Sequence, residues 1–193
     1  MRLAIFGGSF DPPHVGHLLA ADDAFEHLEL DRIVFVPAAT QPLKVGTAVA
    51  AAEQRVAMVQ LLVNGDPRFE LSTVEIERAG LSFTVDTLTH FAAAHPAAER
   101  FLLLGADVLA TFAQWREPER VLQLAQLVVL EREGDGAAKL PAGVLSSAIL
   151  RLPTRRIDVS STEIRERVRQ GKSIRGFVTD SVAAHIARSG LYR

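Results

Sequence analysis

Runs of apolar residues alternate along this chain with segments whose apolar residues recur at helical spacing. Four of the runs lack polar alternation, which is typical of strands buried on both faces: "RLAIF", "RIVFVPA", "RFLLLGA" and "QLVVLER". We predict two further strands, at "FELSTVEI" and at "RRIDVSS". Buried strands that alternate with helices indicate the α/β class, with a Rossmann-like doubly wound parallel sheet that carries helices on both faces.

The other periodic segments predict helices. These cover residues 14–28, 53–63, 82–95, 107–115, 118–125, 162–169 and 181–192, the last with Gly190 as its stop. Proline and glycine mark loops at residues 39–51 and 133–143. No internal repeat or interdomain linker interrupts the pattern, so we expect one domain over residues 1–193, with a helical portion from about residue 160 packed on it.

Composition narrows the classes of function. Of the 193 residues, 48% are apolar and 23% are charged, enough for a sizeable core. A net charge of −2 argues against a general nucleic-acid binder, so any recognition of phosphate must be local. The absence of cysteine excludes disulfides, thiolate metal sites and cysteine nucleophiles, and it fits a cytoplasmic protein. We expect no signal peptide, and no apolar run approaches the roughly 20 residues of a membrane span.

The stretch "GGSFDPPHVGH" follows the first strand, at the sheet edge where doubly wound folds bind ligands. Gly7 and Gly8 allow a tight turn and let a ligand approach the backbone. The helix start that follows offers unpaired N–H groups and a partial positive charge, which suit a phosphate. His14 and His17 share one helix face, and Gly16 between them leaves room for a flat ligand.

Two other interpretations of this stretch have to be weighed. The histidines could simply be exposed to solvent, or they could bind zinc together with Asp11. A zinc site would need a further ligand, and none of the usual metal-binding spacings is present. The stretch matches neither the Rossmann fingerprint nor the Walker A loop, so a phosphate site here would be of another kind.

A second polar stretch, "VSSTEIRERVRQGK", opens a helix late in the chain. Ser160 and Glu163 fit a capping box, which explains those two residues structurally. The capping box does not explain Ser161, Thr162 and Arg165. Hydroxyls and a guanidinium at a helix start indicate a second phosphate-type site.

Further candidates follow the second and third apolar runs. Gly105 ends a strand, and Asp107 at the next helix start could cap that helix or accept hydrogen bonds from a ribose. Trp115, the only tryptophan, could belong to the core or stack on an aromatic ring. Lys44 lies in the loop after the second strand, where a lone lysine is ordinarily solvent-exposed unless a ligand binds at that edge.

Together, "GGSFDPPHVGH" and "VSSTEIR" closely resemble the H-x-G-H and I-S-S-T-x-I-R signatures of the nucleotidyltransferase superfamily. Within it, the chain is similar to the bacterial nicotinate-mononucleotide adenylyltransferases, through the double proline, "SFTVDTL", "GAD" and a tryptophan eight residues after Asp107. The resemblance extends from Leu3 to about Tyr192. It implies transfer of AMP from ATP to nicotinic acid mononucleotide, a step of NAD biosynthesis. The products would be deamido-NAD and pyrophosphate, with Mg²⁺ held mainly by the ATP phosphates.

The same resemblance implies which residues bind each substrate. ATP would be bound by Gly7, Gly8, Ser9, Phe10, His14, His17, Gly105, Asp107, Ser161, Thr162 and Arg165. Three of these would be catalytic through contacts with phosphates: His14, His17 and Arg165. The mononucleotide would meet Lys44, Thr84 and Trp115. Two departures from the family pattern are Leu43, often histidine, and Phe83, often tyrosine.

Adenylyl transfer does not require an acid or base among the side chains. The attacking phosphate is already an anion, so the reaction needs positioning and positive charge rather than a general base or a nucleophilic side chain. Three alternatives remain on sequence alone: an enzyme for nicotinamide mononucleotide or for both mononucleotides, a phosphopantetheine adenylyltransferase, and a non-catalytic nucleotide-binding module. The sequence also leaves the oligomeric state open, a homo-oligomer included.

Overall fold

A computed structural model of the chain describes residues 1–44, 49–132 and 146–193. Six strands form one sheet: β1 (Arg2–Gly8), β2 (Arg32–Pro37), β3 (Phe69–Leu71), β4 (Glu99–Gly105), β5 (Gln126–Arg132) and β6 (Ile149–Thr154). Their order across the sheet is β3-β2-β1-β4-β5-β6, and every neighbouring pair is parallel. This is the doubly wound order, which confirms the predicted Rossmann-like α/β class.

Helices cover both faces of this sheet. They are α1 (Val15–His27), α2 (Ala52–Val63), α3 (Val74–Arg78), α4 (Thr84–Ala94), α5 (Ala106–Leu109), α6 (Pro118–Leu124), α7 (Ser161–Arg169) and α8 (Asp180–Ser189). Apolar residues of α1, α2, α7 and α8 pack into one core cluster, and those of α4, α5 and α6 pack into another. In the ranges that the structure describes, no helix has the length and apolar character needed to cross a membrane.

The two clusters explain why the predicted strands read as unbroken apolar runs. In β1, Ala4 and Phe6 belong to one cluster, whereas Leu3 and Ile5 belong to the other. Successive residues of a strand point to opposite faces, so a strand covered on both sides needs apolar residues at every position. Leu3, Ala4 and Ile5 are accordingly no more than 1% exposed.

The prediction of a long strand at "FELSTVEI" was wrong beyond its third residue. β3 ends at Leu71, the Ser72 N–H donates to the Phe35 carbonyl at 2.9 Å, and α3 then starts at Val74. Ser72 and Thr73 are typical residues for a helix start, and the Ser72 hydroxyl accepts from the Val74 N–H at 3.4 Å. The alternation of apolar and polar residues continues past Leu71, but the chain leaves the sheet there and turns into α3.

The strand predicted at "RRIDVSS" was also wrong, because the sixth strand precedes it at Ile149–Thr154. Pro153 interrupts the apolar pattern, but β6 is an edge strand, where a missing N–H is tolerated. The chain leaves the sheet at Arg155, whose N–H donates to the buried Asp23 carboxylate of α1 at 3.0 Å. The Arg155 side chain also forms an ion pair with Asp23, Nη2 to Oδ1 at 2.7 Å, which holds the chain against α1 where it leaves the sheet.

One other predicted helix differs in detail. The helix predicted over residues 107–115 is divided into α5 and a 3-10 turn at Phe112–Gln114. The last helix ends as predicted at Gly190, which caps it with a left-handed φ of 63°. The predicted loop at residues 133–143 lies outside the described residues.

The sheet order fixes where a ligand can bind. Strand order reverses between β1 and β4, and open α/β sheets bind ligands beyond the carboxyl ends of the strands at such a point. Phe6 pairs with Leu103 across these two strands. The ends at Gly8 and Gly105 therefore lie side by side, with "SFDPPHVGH" leaving one and "ADVL" leaving the other.

Candidate active site

The turn after β1 is built on buried aromatic packing. Phe10 adopts a left-handed φ of 49°, and its ring lies in the core against Phe6 at 5.8 Å between centroids. A Cβ at Gly8 would come within 3.1 Å of that ring, so a larger residue there would have to push the Phe10 ring aside. At Gly7 a Cβ would meet no atom within 4 Å. Of the two glycines, Gly7 is thus the one with open space beside it for a ligand.

His14 and His17 occupy the N-cap and N3 positions of a capping box at the start of α1. The His14 main-chain N–H donates to Nδ1 of His17 at 3.2 Å, and the two ring centroids are 3.7 Å apart. An Nδ1 that accepts is unprotonated, so a neutral His17 carries its proton on Nε2 and can donate from that atom. The two rings thus form one preorganised unit.

Gly16 serves this histidine pair directly. A Cβ at residue 16 would lie 3.0 Å from Nδ1 of His14. The space over Gly16 is therefore filled by the His14 ring, and the prediction that a flat ligand approaches there was wrong. His17 is further enclosed by Phe10, whose ring centroid lies 5.0 Å away.

The two predicted phosphate motifs meet. The Ser161 hydroxyl donates to the Pro12 carbonyl at 2.8 Å, and Nη1 of Arg165 donates to the Asp11 carbonyl at 2.8 Å. A second nitrogen of Arg165 donates to the Thr162 hydroxyl at 3.1 Å. The start of α7 is thereby locked against the turn before α1, as the resemblance led us to expect of two halves of one site.

Ser160 caps α7 as predicted. Its hydroxyl accepts from the Glu163 N–H at 3.1 Å. The three residues that the capping box left unexplained are the ones that reach the first motif or each other: Ser161, Thr162 and Arg165. Within "VSSTEIR", the hydrogen bonds therefore separate the helix cap, Ser160, from the candidate functional residues.

Asp11 joins three parts of the chain, a function that the sequence did not indicate. It is 3% exposed, and its carboxylate accepts from the Val49 N–H at 2.7 Å, the Ala50 N–H at 3.2 Å and the Tyr192 hydroxyl at 2.6 Å. Burial, reinforced by the hydrogen bond to Asp11, raises the pKa of Tyr192 well above its ordinary value of 10. Tyr192 is therefore a protonated donor over the physiological range.

The zinc interpretation finds no support in this arrangement. Both carboxylate oxygens of Asp11 are occupied by hydrogen bonds from the protein. Over residues 1–44, 49–132 and 146–193, no three histidine, aspartate or glutamate side chains are grouped so that they could hold a metal ion. The described residues therefore offer no third ligand beside His14 and His17.

Asp107 lies at the start of α5, beside the end of β1. The Asp107 carboxylate folds back over the strand end, where a Cβ at Gly105 would come 2.7 Å from its Oδ1 and displace it. Asp107 is exposed. This leaves an accessible carboxylate near the open space at Gly7.

The segments that carry Thr84 and Trp115 are in contact through the residues next to them, Phe83 and Arg116. Thr84 is the first residue of α4, and the Arg116 guanidinium lies 5.0 Å from the centroid of the Phe83 ring. Nε1 of Trp115 donates to the Thr111 hydroxyl at 3.2 Å. The indole is half-buried and packs against the core, so the core interpretation holds for one part of the ring and leaves the other part accessible.

The loop after β2 is docked onto the segment before α4. The Ala39 N–H donates to the Ser82 hydroxyl at 2.9 Å, and the Ser82 N–H donates to the Thr40 carbonyl at 2.8 Å. Lys44 ends a 3-10 turn in this loop, at Pro42–Lys44, and its side chain lies outside the described residues. Leu43, the departure from the family pattern, is 50% exposed.

Comparisons with known proteins identify the family of the chain. The model of the cytidylyltransferase-like family matches residues 5–167. A probable nicotinate-nucleotide adenylyltransferase of Gemmatimonas aurantiaca is 50% identical over 197 aligned residues, which cover 100% of this chain and 93% of the relative. A protein of the same description from Thermus thermophilus is 45% identical, with both chains fully covered.

Solved structures are similar in fold. The nicotinic acid mononucleotide adenylyltransferase of Plasmodium falciparum, complexed with APC, superposes with a TM-score of 0.76 at 19% identity, over 99% of this chain and 96% of that one. The same enzyme complexed with NaAD also gives a TM-score of 0.76. At such low identity the likeness establishes the doubly wound architecture over the whole described chain.

Proposed function

The chain belongs to the cytidylyltransferase-like family and, within it, to the nicotinate-nucleotide adenylyltransferases, and on that premise we propose that it adenylylates nicotinic acid mononucleotide. AMP is transferred from ATP to the mononucleotide phosphate, giving deamido-NAD and pyrophosphate in a step of NAD biosynthesis. The observation that carries this proposal is the junction of the two motifs, in which Ser161 and Arg165 are hydrogen-bonded to the turn before α1.

The chemistry follows from charge and positioning. The attacking phosphate oxygen needs no base, so the barrier lies in bringing two polyanions together and in stabilising charge on the α-phosphate and the leaving pyrophosphate. His14 and His17 would donate to the ATP phosphates from the start of α1. Arg165 would bind the β- and γ-phosphates, since a guanidinium keeps further donors after its two bonds to the protein. The Thr162 hydroxyl accepts from Arg165 and keeps its own hydrogen for a phosphate, whereas Ser161, whose hydroxyl donates to Pro12, would contribute its main-chain N–H at the helix start.

The remaining ATP contacts would lie at the ends of β1 and β4. Open space at Gly7 supports an approach of the nucleotide to the backbone of residues 7–10, which include Gly8, Ser9 and Phe10. The accessible Asp107 carboxylate beside Gly105 would accept hydrogen bonds from the ribose. Because the Phe10 ring is in the core, any contact from Phe10 would come from its main chain.

Magnesium is implied by the chemistry of the family, and the described residues do not form a resident site for it. The ranges covered by the structure contain no suitable cluster of ligands, and both oxygens of the Asp11 carboxylate already accept hydrogen bonds from the protein. We therefore assign the ion to the substrate, as Mg²⁺ held by the ATP phosphates and water, which suits a cation that dehydrates reluctantly.

The mononucleotide would lie between the start of α4 and the Trp115 turn. The accessible part of the indole would stack on the pyridine ring, and the first turn of α4 at Thr84 offers N–H groups toward a carboxylate. Lys44 would approach the mononucleotide phosphate from the loop after β2. One sheet carries all of these segments, which supports a single catalytic domain acting on small molecules.

Release of pyrophosphate tests the proposal. Purified protein with ATP and Mg²⁺ should release pyrophosphate with nicotinic acid mononucleotide and much less with nicotinamide mononucleotide or phosphopantetheine. Arg165→Ala should abolish the signal, since it removes the phosphate-facing cation. Equal rates with both mononucleotides would replace the proposal by dual specificity, and a preference for phosphopantetheine would refute it. No release with any acceptor would favour a non-catalytic module.

A further inference from the structure

Arg55 is a buried cation that no substrate could touch. It lies on α2 and is 2% exposed, on the face that also buries Met58, Val59 and Leu62. Burial lowers its pKa below the ordinary value of 12.5, against the opposing effect of the Asp11 charge. A buried guanidinium is costly unless it is fully hydrogen-bonded, and an apolar side chain of the same size would commonly serve stability as well. A purely stabilising function therefore accounts poorly for an arginine at this position.

The hydrogen bonds of Arg55 all go to main-chain carbonyls of segments around the proposed site. Nη1 donates to Ser9 at 2.9 Å and to Ala38 at 2.7 Å, and Nη2 donates to Ala39 at 3.2 Å. Nε donates to Ala50 at 3.3 Å. Ser9 belongs to the turn before α1, whereas Ala38 and Ala39 begin the loop after β2.

The contacts of Arg55 begin where the main-chain pairing between β1 and β2 ends. The Ala38 N–H donates to the Gly8 carbonyl at 2.9 Å, as the continuation of the pairing between β1 and β2. One residue further along the first segment, the chains diverge and Arg55 bridges the Ser9 and Ala38 carbonyls through a single nitrogen. Past this point Arg55 holds the start of the loop against the turn, and the far end of the loop is held separately, where the Val49 and Ala50 N–H groups donate to the Asp11 carboxylate.

The two bridged segments lead to the two substrates of the proposed reaction. The turn at Ser9 continues to His14 and His17, which would hold the ATP phosphates. The loop at Ala39 is docked on Ser82, two residues before Thr84, on the mononucleotide side. The separation of the two segments thus determines how far the attacking phosphate stands from the α-phosphate.

We propose that Arg55 is a positioning residue that fixes the spacing between the ATP-binding turn and the mononucleotide-binding loop. The inference rests on the proposed adenylyl transfer. A planar guanidinium holds several carbonyls at fixed angles, which the single ammonium of lysine cannot do. Because the reaction relies on placement of the reacting groups, a shift of about 1 Å between the loops is expected to lower the rate on the order of 100-fold.

Arg55→Lys tests this proposal, with Arg100→Lys as the matched control. Arg100 also donates to three carbonyls, those of Leu124 at 2.9 Å, His95 at 3.0 Å and Ala98 at 2.8 Å. It lies near the amino end of β4, whereas the proposed site lies beyond the carboxyl ends of the strands. Both variants lose an arginine fork to backbone, but only Arg55 spans the two substrate segments.

The measurements are kcat, Kd for each substrate alone, and thermal unfolding. We expect Arg55→Lys to lower kcat by about 100-fold while each Kd changes less than about three-fold. Arg100→Lys, at a less buried site, should lower the unfolding temperature by a smaller amount and leave kcat unchanged. Arg55→Met, if it folds, should reproduce the kcat loss.

Equal kcat values for the two lysine variants, below both unfolding temperatures, would overturn the inference. So would a loss of ATP affinity as large as the loss of kcat, since that indicates a simple defect of one binding site. Wild-type protein that transfers no AMP to any acceptor would overturn the proposed function together with this inference, whereas an active wild type with an unaffected Arg55→Lys variant overturns the inference alone.

Discussion

Two regions of the proposed site are held in opposite ways. The phosphate corner, residues 7–17 with residues 160–165, is closed by hydrogen bonds between residues far apart in the chain. The pairs Ser161–Pro12, Arg165–Asp11 and Tyr192–Asp11 are separated by 149, 154 and 181 positions. The aromatic rim, residues 83–84 with residues 111–116, is held mainly by local contacts such as Trp115 to Thr111, four positions apart.

The difference follows from what each region would recognise. A triphosphate presents the same geometry in every adenylyl transfer, so its donors gain from being fixed by buried, long-range bonds. A rim built from local contacts can change its side chains with little effect on the fold. The single cation–π contact between Arg116 and Phe83 and the 3.6 Å ion pair between Arg116 and Asp86 are the exposed links across it. If the regions bind the substrates as proposed, side chains that contact the acceptor can be exchanged without disturbing the bonds that hold the phosphate corner.

The strongest test of the comparison is His17→Ala in the phosphate corner. Removing one preorganised donor to a transition-state phosphate should lower kcat by about 100- to 1000-fold. The fold should persist, since the helix start keeps the interlocking bonds of Ser161 and Arg165 to the turn. Pyrophosphate release and circular dichroism measure the two effects.

His90→Ala is the control for this prediction, because His90 is exposed on α4. It should leave kcat at the wild-type value. A near-normal rate for His17→Ala would remove that residue from the catalytic group, and loss of the helical spectrum would make it a structural residue.

Tyr192→Phe tests how far the corner depends on its long-range bonds. The Asp11 carboxylate would lose one of its three donors while staying buried, which should lower the free energy of unfolding by about 1–3 kcal/mol. Urea unfolding gives this value. An unchanged unfolding midpoint would mean that the hydroxyl contributes nothing to the corner.

The same residue predicts a pH dependence. Tyr192 is the only tyrosine in the chain, so ultraviolet titration reports on it alone. Its pKa is raised in the folded state, so its contribution to stability is fully present below the ordinary value of 10 and is lost as the pH rises above that value. We expect phenolate absorbance to appear in the native protein only together with unfolding. Ordinary titration of a folded protein near pH 10 would contradict the buried hydrogen bond.

The smallest effect is expected in the aromatic rim. Trp115→Ala should raise the Kd for the mononucleotide by about 10-fold, as expected for loss of one aromatic stack, and should leave the Kd for ATP nearly unchanged. Trp115→Phe keeps a ring and should recover most of the affinity. If Trp115→Ala mainly lowers the unfolding temperature, and both affinities fall together, the indole belongs to the core and the comparison fails.

The sequence predicted the parts of the fold that depend on local pattern. The four unbroken apolar runs became β1, β2, β4 and β5 because each is covered on both faces. β6 was missed because an edge strand tolerates Pro153 and the polar Arg151, which pairs with Glu131 on β5. β3 was overextended because the alternation of apolar and polar residues continues past Leu71, so a short strand followed by a helix cannot be distinguished from one long strand.

The candidate site was predictable where a single short segment contains the characteristic residues, as in the two phosphate motifs. The phosphate motifs could be paired only through the resemblance, and the structure then supplied the bonds between them. No local pattern could have joined Tyr192 to Asp11. Arg55 did leave a signal, since it stands on the apolar face of α2 three, four and seven positions before Met58, Val59 and Leu62. A buried arginine needs hydrogen-bond acceptors, but the sequence does not show which residues provide them.

The long reach of the bonds in the phosphate corner has a kinetic consequence. Contacts across 149 to 181 positions require closure of large loops, and their entropic cost must be met before they can stabilise anything. The sheet can assemble from nearer neighbours, so the corner is expected to form late in folding and to open early in local unfolding. A bound nucleotide would clamp α7 to the turn before α1, so occupancy by substrate should slow hydrogen exchange most at these two helix starts.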